Sequence, residues 1–195
     1  MNSHVQLRSV ETMTAEDFLA MIDARPANER WELIDGVAIM SPAPVDVHQL
    51  IFDNIVFALR SQMQALGAQW LPMSGTNTRV PRAPDSLPIP DVLVKDGPPT
   101  GSDIAEDVRA VFAVLSPSNT AADQSWRRET YCSIDTCAHV VMIAQDAYRI
   151  EILDRATGWT TRELAALDDT LTLADLGVSI PVRDIYLHTP VDSAG

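Results

Sequence analysis

Apolar residues recur along this chain with two periods, 3.6 and two, and their alternation predicts helices and strands in mixed order. From Asp46 to Leu66, the residues His48, Ile51, Phe52, Ile55, Leu59, Met63 and Leu66 fall on one stripe, which predicts a long amphipathic helix stopped by Gly67. Thr14-Ala15-Glu16-Asp17 is a capping-box-like start, and Phe18, Leu19 and Ile22 follow at helical spacing. A first helix is therefore expected over 14–25, closed by Pro26. Trp31-Glu32-Leu33-Ile34 and Val37-Ala38-Ile39-Met40 flank Asp35-Gly36, the strongest short hairpin signal. A two-residue turn pairs Glu32 with Ile39. It puts Glu32 on a face shared with Ile34, Val37 and Ile39, unless a bulge turns it to solvent.

Continuous apolar runs mark buried strands. Ile89-Pro90-Asp91-Val92-Leu93-Val94 is one, with Pro90 placed as the first residue of a strand. Residues 108–115 are another, and Ser116-Pro117-Ser118-Asn119-Thr120 ends it with caps for a helix over 121–134. Shorter strands are expected over 70–73 and 76–80. The Pro-rich segment 82–88 and the turn-rich segment 97–102 read as loops. Strands over 139–144, 148–153 and 159–164 follow, then a short helix over 181–187 and a frayed tail. The pattern describes one α/β domain spanning 1–195, with its core over about 14–187 and a central mixed sheet flanked by helices.

Composition narrows the class. With 195 residues and 46% hydrophobic positions the chain is long and apolar enough for one globular core. No apolar run is long enough to span a bilayer, and 1–11 lack the order of a signal peptide, so a cytoplasmic protein without membrane partners is expected. Cys132 and Cys137, without a second Cys/His pair, read as reduced and structural. Asp and Glu number 27 against 14 Lys and Arg, a net charge of −13. That balance argues against tight non-specific nucleic-acid binding, though not against a local site whose metal offsets the repulsion.

Three positions stand out chemically. Asp91 heads a buried strand, where a carboxylate must be hydrogen-bonded to a loop, paired, or bound to a cation. His48 lies in the first turn of an apolar helix stripe, as either a satisfied core residue or a site residue. Asp123, Arg127 and Tyr131 stand at i, i+4 and i+8 on one helix, where Asp123 and Arg127 could form an ordinary surface ion pair.

The order of elements resembles the PD-(D/E)xK nuclease core. Glu32-Leu33-Ile34-Asp35-Gly36, Ser41-Pro42, His48-Gln49, Pro90-Asp91-Val92 and Val114-Leu115-Ser116-Pro117-Ser118 resemble the successive blocks of the Uma-type restriction-endonuclease family. The resemblance spans residues 14–187. It implies a restriction-endonuclease-like fold and a Mg²⁺- or Mn²⁺-dependent DNA endonuclease, a hydrolase that cuts phosphodiesters, with a homodimer expected because two strands must be engaged. By resemblance, Asp91 is the first metal carboxylate, and Glu32 and His48 are auxiliary site residues, with Glu32 a possible second ligand. Arg127 falls at the position of the family's lysine. The second carboxylate is expected just before Val114-Leu115-Ser116, where this chain has Ala113. Ala138-His139-Val140-Val141 stands where the family tends to have a Tyr-Trp pair. The resemblance thus implies a weakened or inactive nuclease, with a non-catalytic binding or assembly module of the same fold as the alternative.

Overall fold

The computed structural model describes residues 12–26, 29–40 and 45–191. The N-terminal stretch 1–11, the Ser41-Pro42 block and the tail 192–195 lie outside the described residues. Thr14 caps the first helix, α1 (Ala15–Asp23), by accepting the Asp17 N–H. The hairpin follows, β1 (Trp31–Ile34) and β2 (Val37–Met40), in the register expected, with Glu32 opposite Ile39 and no bulge. Asp35 (φ +49°) and Gly36 (φ +78°) occupy the two left-handed positions that such a turn demands. The core side of the hairpin is the opposite one from Glu32. Leu33 is fully buried with Ala15, Phe18 and Leu87, whereas Ile39 is exposed.

The long helix α2 (Asp46–Leu66) has the predicted bounds and ends on Gly67 at φ +61°. After it come β3 (Trp70–Met73), β4 (Asn77–Thr78), β5 (Val92–Asp96), β6 (Ile104–Ala105) and β7 (Val108–Leu115). Helix α3 (Ala121–Cys132) then leads to β8 (His139–Ala144), β9 (Ile150–Asp154) and β10 (Thr160–Leu164). The chain closes with β11 (Thr170–Leu173), β12 (Val178–Pro181) and α4 (Val182–Ile185). The central sheet has the order β10-β9-β8-β7-β5-β3. Only β7 and β8 are parallel in it, joined through α3, so the sheet is mixed, with helices on both faces.

The two faces build two cores. Ile51, Ile55 and Leu59 of α2 pack with Val92, Val94, Ala110, Phe112 and Val114, together with β11, β12 and α4. Tyr131 and Ile134 pack on the other face with Leu93, Val111, Ala113, Leu115, Val140 and Met142. Several expectations change at their edges. Pro90 and Asp91 precede β5 instead of opening it, because its ladder begins at Val92 opposite Phe112. The strand expected over 76–80 shrinks to β4, which pairs in parallel with the unforeseen β6. Trp159 falls outside β10 because its backbone is left-handed, at φ +65°. The β11–β12 hairpin was not anticipated, although Leu171 and Leu173 alternate inward with exposed threonines. Among the described residues no helix is long and apolar enough to cross a membrane.

At the end of the sheet away from Asp91 a charged network forms. The His139 ring nitrogens meet Asp154 and Asp175, and Arg109 joins Asp175 to Asp96. His139 thus puts a buried polar residue in the stretch where the family resemblance expected a Tyr-Trp pair.

Candidate active site

The segment before β5 is pinned from three sides. Leu87 bridges Leu33 through both backbone groups, the Thr78 N–H donates to Pro88 O, and Asn77 donates to Leu87 O. The Ile89 N–H donates to Glu32 Oε1 at 2.7 Å. These bonds hold Asp91 at the mouth of the sheet. The antiparallel register that pairs Val92 with Phe112 puts Asp91 level with Ala113.

Both carboxylate oxygens of Asp91 have protein partners. Oδ2 accepts the Val114 N–H at 2.8 Å, and Oδ1 lies 3.1 Å from His48 Nε2. The first contact continues the β5–β7 ladder with a side chain, where Pro90 ends regular pairing. His48 reaches the site from the first turn of α2, so it is a partner of Asp91 and not a core residue alone; both side chains are about one-sixth exposed, at 17% and 16%.

Arg127 projects from α3 onto the same region. Its Nη1 donates to the Tyr131 hydroxyl at 3.4 Å. The electrostatic influence of the Tyr131 hydroxyl raises the guanidinium pKa, burial opposes it, and the Glu32 and Asp91 carboxylates raise it further. Tyr131, fully buried, has its hydroxyl pKa pushed upward chiefly by burial, with Arg127 pulling the other way. It stays a neutral hydrogen-bonding group. Tyr131 is the member of this site that the sequence reading placed on the helix stripe without giving it a role.

Asp123 does not join the cluster. It folds back on Thr120 in a capping box, and the Thr120 backbone N–H and hydroxyl, with a smaller contribution from the Arg127 charge, hold its carboxyl below its ordinary range. Glu32, Asp91, His48 and Arg127, drawn from a hairpin, a strand mouth and two helices, therefore share one region, while Asp123 caps its own helix.

Ala113 is 1% exposed and sits in the apolar cluster with Tyr131. Its methyl supplies no oxygen beside Asp91. Among the described residues no three His, Cys, Asp or Glu side chains are arranged to hold a metal ion. Mg²⁺ takes oxygen ligands in near-octahedral geometry. The oxygens here are few and already hydrogen-bonded, so the donor set does not fit a strong divalent centre. A cleft of about 410 Å³ lined by Arg25, Arg30, Trp31, Asn77 and Ile89 adjoins the same strands in sequence but includes none of the four site residues.

The molecule is thus an α/β protein with a central mixed sheet, an acid at the mouth of one strand and a cation on a flanking helix. The chain belongs to the Uma2 family, described as "Putative restriction endonuclease", whose model matches residues 15–183. It is similar in structure to a protein from Anabaena variabilis described as "a putative nuclease belonging to DUF820". That match has a TM-score of 0.71 at 14% identity, over 89% of this chain and 97% of the other. No curated protein matches the chain.

Proposed function

We propose that this chain carries the DNA-endonuclease site of its family in a form whose phosphodiester hydrolysis is strongly attenuated. The observation behind this reading is Ala113, level with Asp91 and sealed in an apolar cluster where a second carboxylate belongs. Hydrolysis of this type relies on a divalent ion to polarise the phosphoryl group and to generate hydroxide. In this chain Asp91 and Glu32 are the acids left to attract Mg²⁺ or Mn²⁺, and each already accepts a backbone N–H. His48 orients Asp91. Arg127 keeps a positive charge for a phosphate but cannot act as a base. The net charge of −13 confines any attraction for DNA to this local site. One site per chain reaches one strand, so cutting a duplex calls for a homodimer.

The test is Mn²⁺-dependent cleavage of single- and double-stranded DNA by the natural protein, Asp91→Asn and Ala113→Glu, each first shown to be folded. Ala113→Glu is expected to cut at least about a hundredfold faster than the natural chain, the scale of losing one stabilising group in a transition state. Rapid cutting by the natural protein, abolished by Asp91→Asn and unimproved by Ala113→Glu, would overturn the reading.

A second reading, a non-catalytic binding or assembly module, is favoured by the structural employment of both Asp91 oxygens. It gains if none of the three proteins cuts.

A further inference from the structure

The cleft beside the site is built from fixed polar groups that the hydrolytic reading does not use. It measures about 410 Å³, enough for one small ligand, and its walls come from the end of α1, the start of β1 and the segments before β4, β5 and β6. The Trp31 indole N–H donates to Glu29 Oε2 at 2.7 Å, and the Arg25 guanidinium lies 5.2 Å from the ring centroid. Asn77, 5% exposed, donates its amide hydrogens to two backbone oxygens, Leu87 O at 2.7 Å and Trp31 O at 3.4 Å. Those two bonds settle which end of the amide is oxygen. That oxygen takes no hydrogen bond from the described residues, and it is the acceptor Asn77 offers to the cleft it lines. Arg30 makes one long bond, from Nη2 to Pro90 O at 3.5 Å, which leaves most of its donors to a ligand. Ile89 lines the cleft while its N–H donates to Glu32, so the cleft and the Asp91 site share a wall.

Charge selects the ligand. Asp23, Glu29 and Asp103 line the cleft together with Arg25 and Arg30, so a tract of phosphates is repelled while a single phosphate can sit on a guanidinium. The Asn77 oxygen and the Asp103 carboxylate are acceptors. They suit a base edge that carries N–H donors, as carboxylates suit the amino group of cytosine. Trp31 adds an aromatic surface of the kind on which bases stack. We propose that this cleft seats one nucleotide of a single DNA strand, its phosphate on Arg30 and its base edge on Asn77 and Asp103. The proposal rests on the nuclease-type reading of Asp91 for the kind of ligand it names. Arg30 is bonded to the residue next to Asp91, so a phosphate held there lies beside the acid at the strand mouth. Binding needs no metal and no cleavage, and is measured apart from both.

The experiment is equilibrium binding to the full-length protein in low salt with EDTA. The probes are single-stranded hexamers of deoxycytidine and of thymidine and the free nucleotide dCMP, with the Trp31 indole N–H followed by NMR. The cytosine hexamer is expected to bind saturably, to shift that indole signal, and to bind about fivefold more tightly than the thymine hexamer, which lacks the amino group. Arg30→Gln is expected to weaken it about tenfold, the scale of one hydrogen bond to a charged group. Ser102→Trp, which fills the cleft from an exposed position, is expected to abolish it and serves where the Gln variant does not fold. No saturable binding at millimolar hexamer would overturn the proposal, as would binding that folded Arg30→Gln and Ser102→Trp proteins keep in full. A mononucleotide that binds as tightly as the hexamer would overturn it too, because the cleft would then serve a free nucleotide and not a strand. Cleavage by Ala113→Glu without binding in the cleft would sink this proposal alone. Binding in the cleft with no variant able to cut would support it and count against the hydrolytic reading.

Discussion

Asp175→Asn is expected to loosen the β11–β12 hairpin from the central sheet. Asp175 lies in the 3-10 turn Ala174–Leu176 between those strands. One of its oxygens meets His139 Nε2, and the other accepts Arg109 Nη2 at 2.6 Å. Asparagine preserves the shape but offers one acceptor, and turns an amide group toward a donor. Hydrogen bonds to charged groups contribute about 1.5–3 kcal/mol each where buried. The Asp175 side chain is 38% exposed, so solvent screens part of that. A loss of about 1–3 kcal/mol is the reasonable expectation, a fall of roughly 3–10 °C in melting temperature for a domain of this size. Burial pushes the Asp175 carboxyl up, but the hydrogen bonds and charges of His139 and Arg109 prevail and hold it below its ordinary value. A carboxyl depressed in the folded state contributes stability that is complete above its unfolded pKa, about 3.9, and is lost as pH falls through the lower native value. Urea unfolding of both proteins should therefore show the same gap at pH 7 and pH 5, narrowing only below about pH 4. Equal midpoints at pH 7, or a gap that already closes between pH 7 and pH 5, would refute the reasoning.

Other positions give independent tests. Gly36→Ala should lower stability by about 1–3 kcal/mol, because the left-handed backbone disfavours a side chain and the new Cβ would lie 2.8 Å from Thr12 Cβ; thermal melting checks it. On α2, Leu59→Ala should cost about 2–5 kcal/mol by leaving a cavity. Phe57→Gln on the same helix, at a site 75% exposed, should stay within about 0.5 kcal/mol. Burial pushes the Cys137 thiol up to about 12 and the Cys132 thiol up to about 11. The thiolate is the reactive form, so a thiol reagent at pH 8 should label the native chain slowly and both cysteines at once in denaturant.

Elements whose signals are local were legible in the sequence. The α2 stripe and its glycine stop gave the helix bounds, Asp35-Gly36 gave the hairpin register, and the run 108–115 gave β7. Elements made by distant partners were not. Strands β4 and β6 are two residues each and exist only through their mutual pairing. The β11–β12 hairpin alternates properly, but a 3-10 turn replaces the short loop that would have marked it. The His139 network joins residues separated by 15 and 36 positions, and no spacing rule connects them. At the candidate site, the residue types were readable and so was the missing acid. The partners that decide what Asp91 and Glu32 do were not, since those are backbone N–H groups of Val114 and Ile89 brought close by the fold.

Those backbone partners change what the acids mean. An acid kept for catalysis alone becomes dispensable when catalysis fades. Asp91 and Glu32 are not in that position. Removing either acceptor leaves the N–H of a buried residue, Ile89 or Val114, without its bond, and an unsatisfied buried donor costs about 1–3 kcal/mol, a large share of the margin of a domain. Folding by itself would therefore retain both acids after hydrolysis had weakened. Ala113 is under no such constraint, because its methyl fits an apolar cluster that a carboxylate would disturb. The informative residue for activity is thus the alanine and not the two acids. For the same reason Asp91→Asn, which keeps an oxygen for the Val114 N–H, is the variant that separates loss of chemistry from loss of fold, and Asp91→Ala is not.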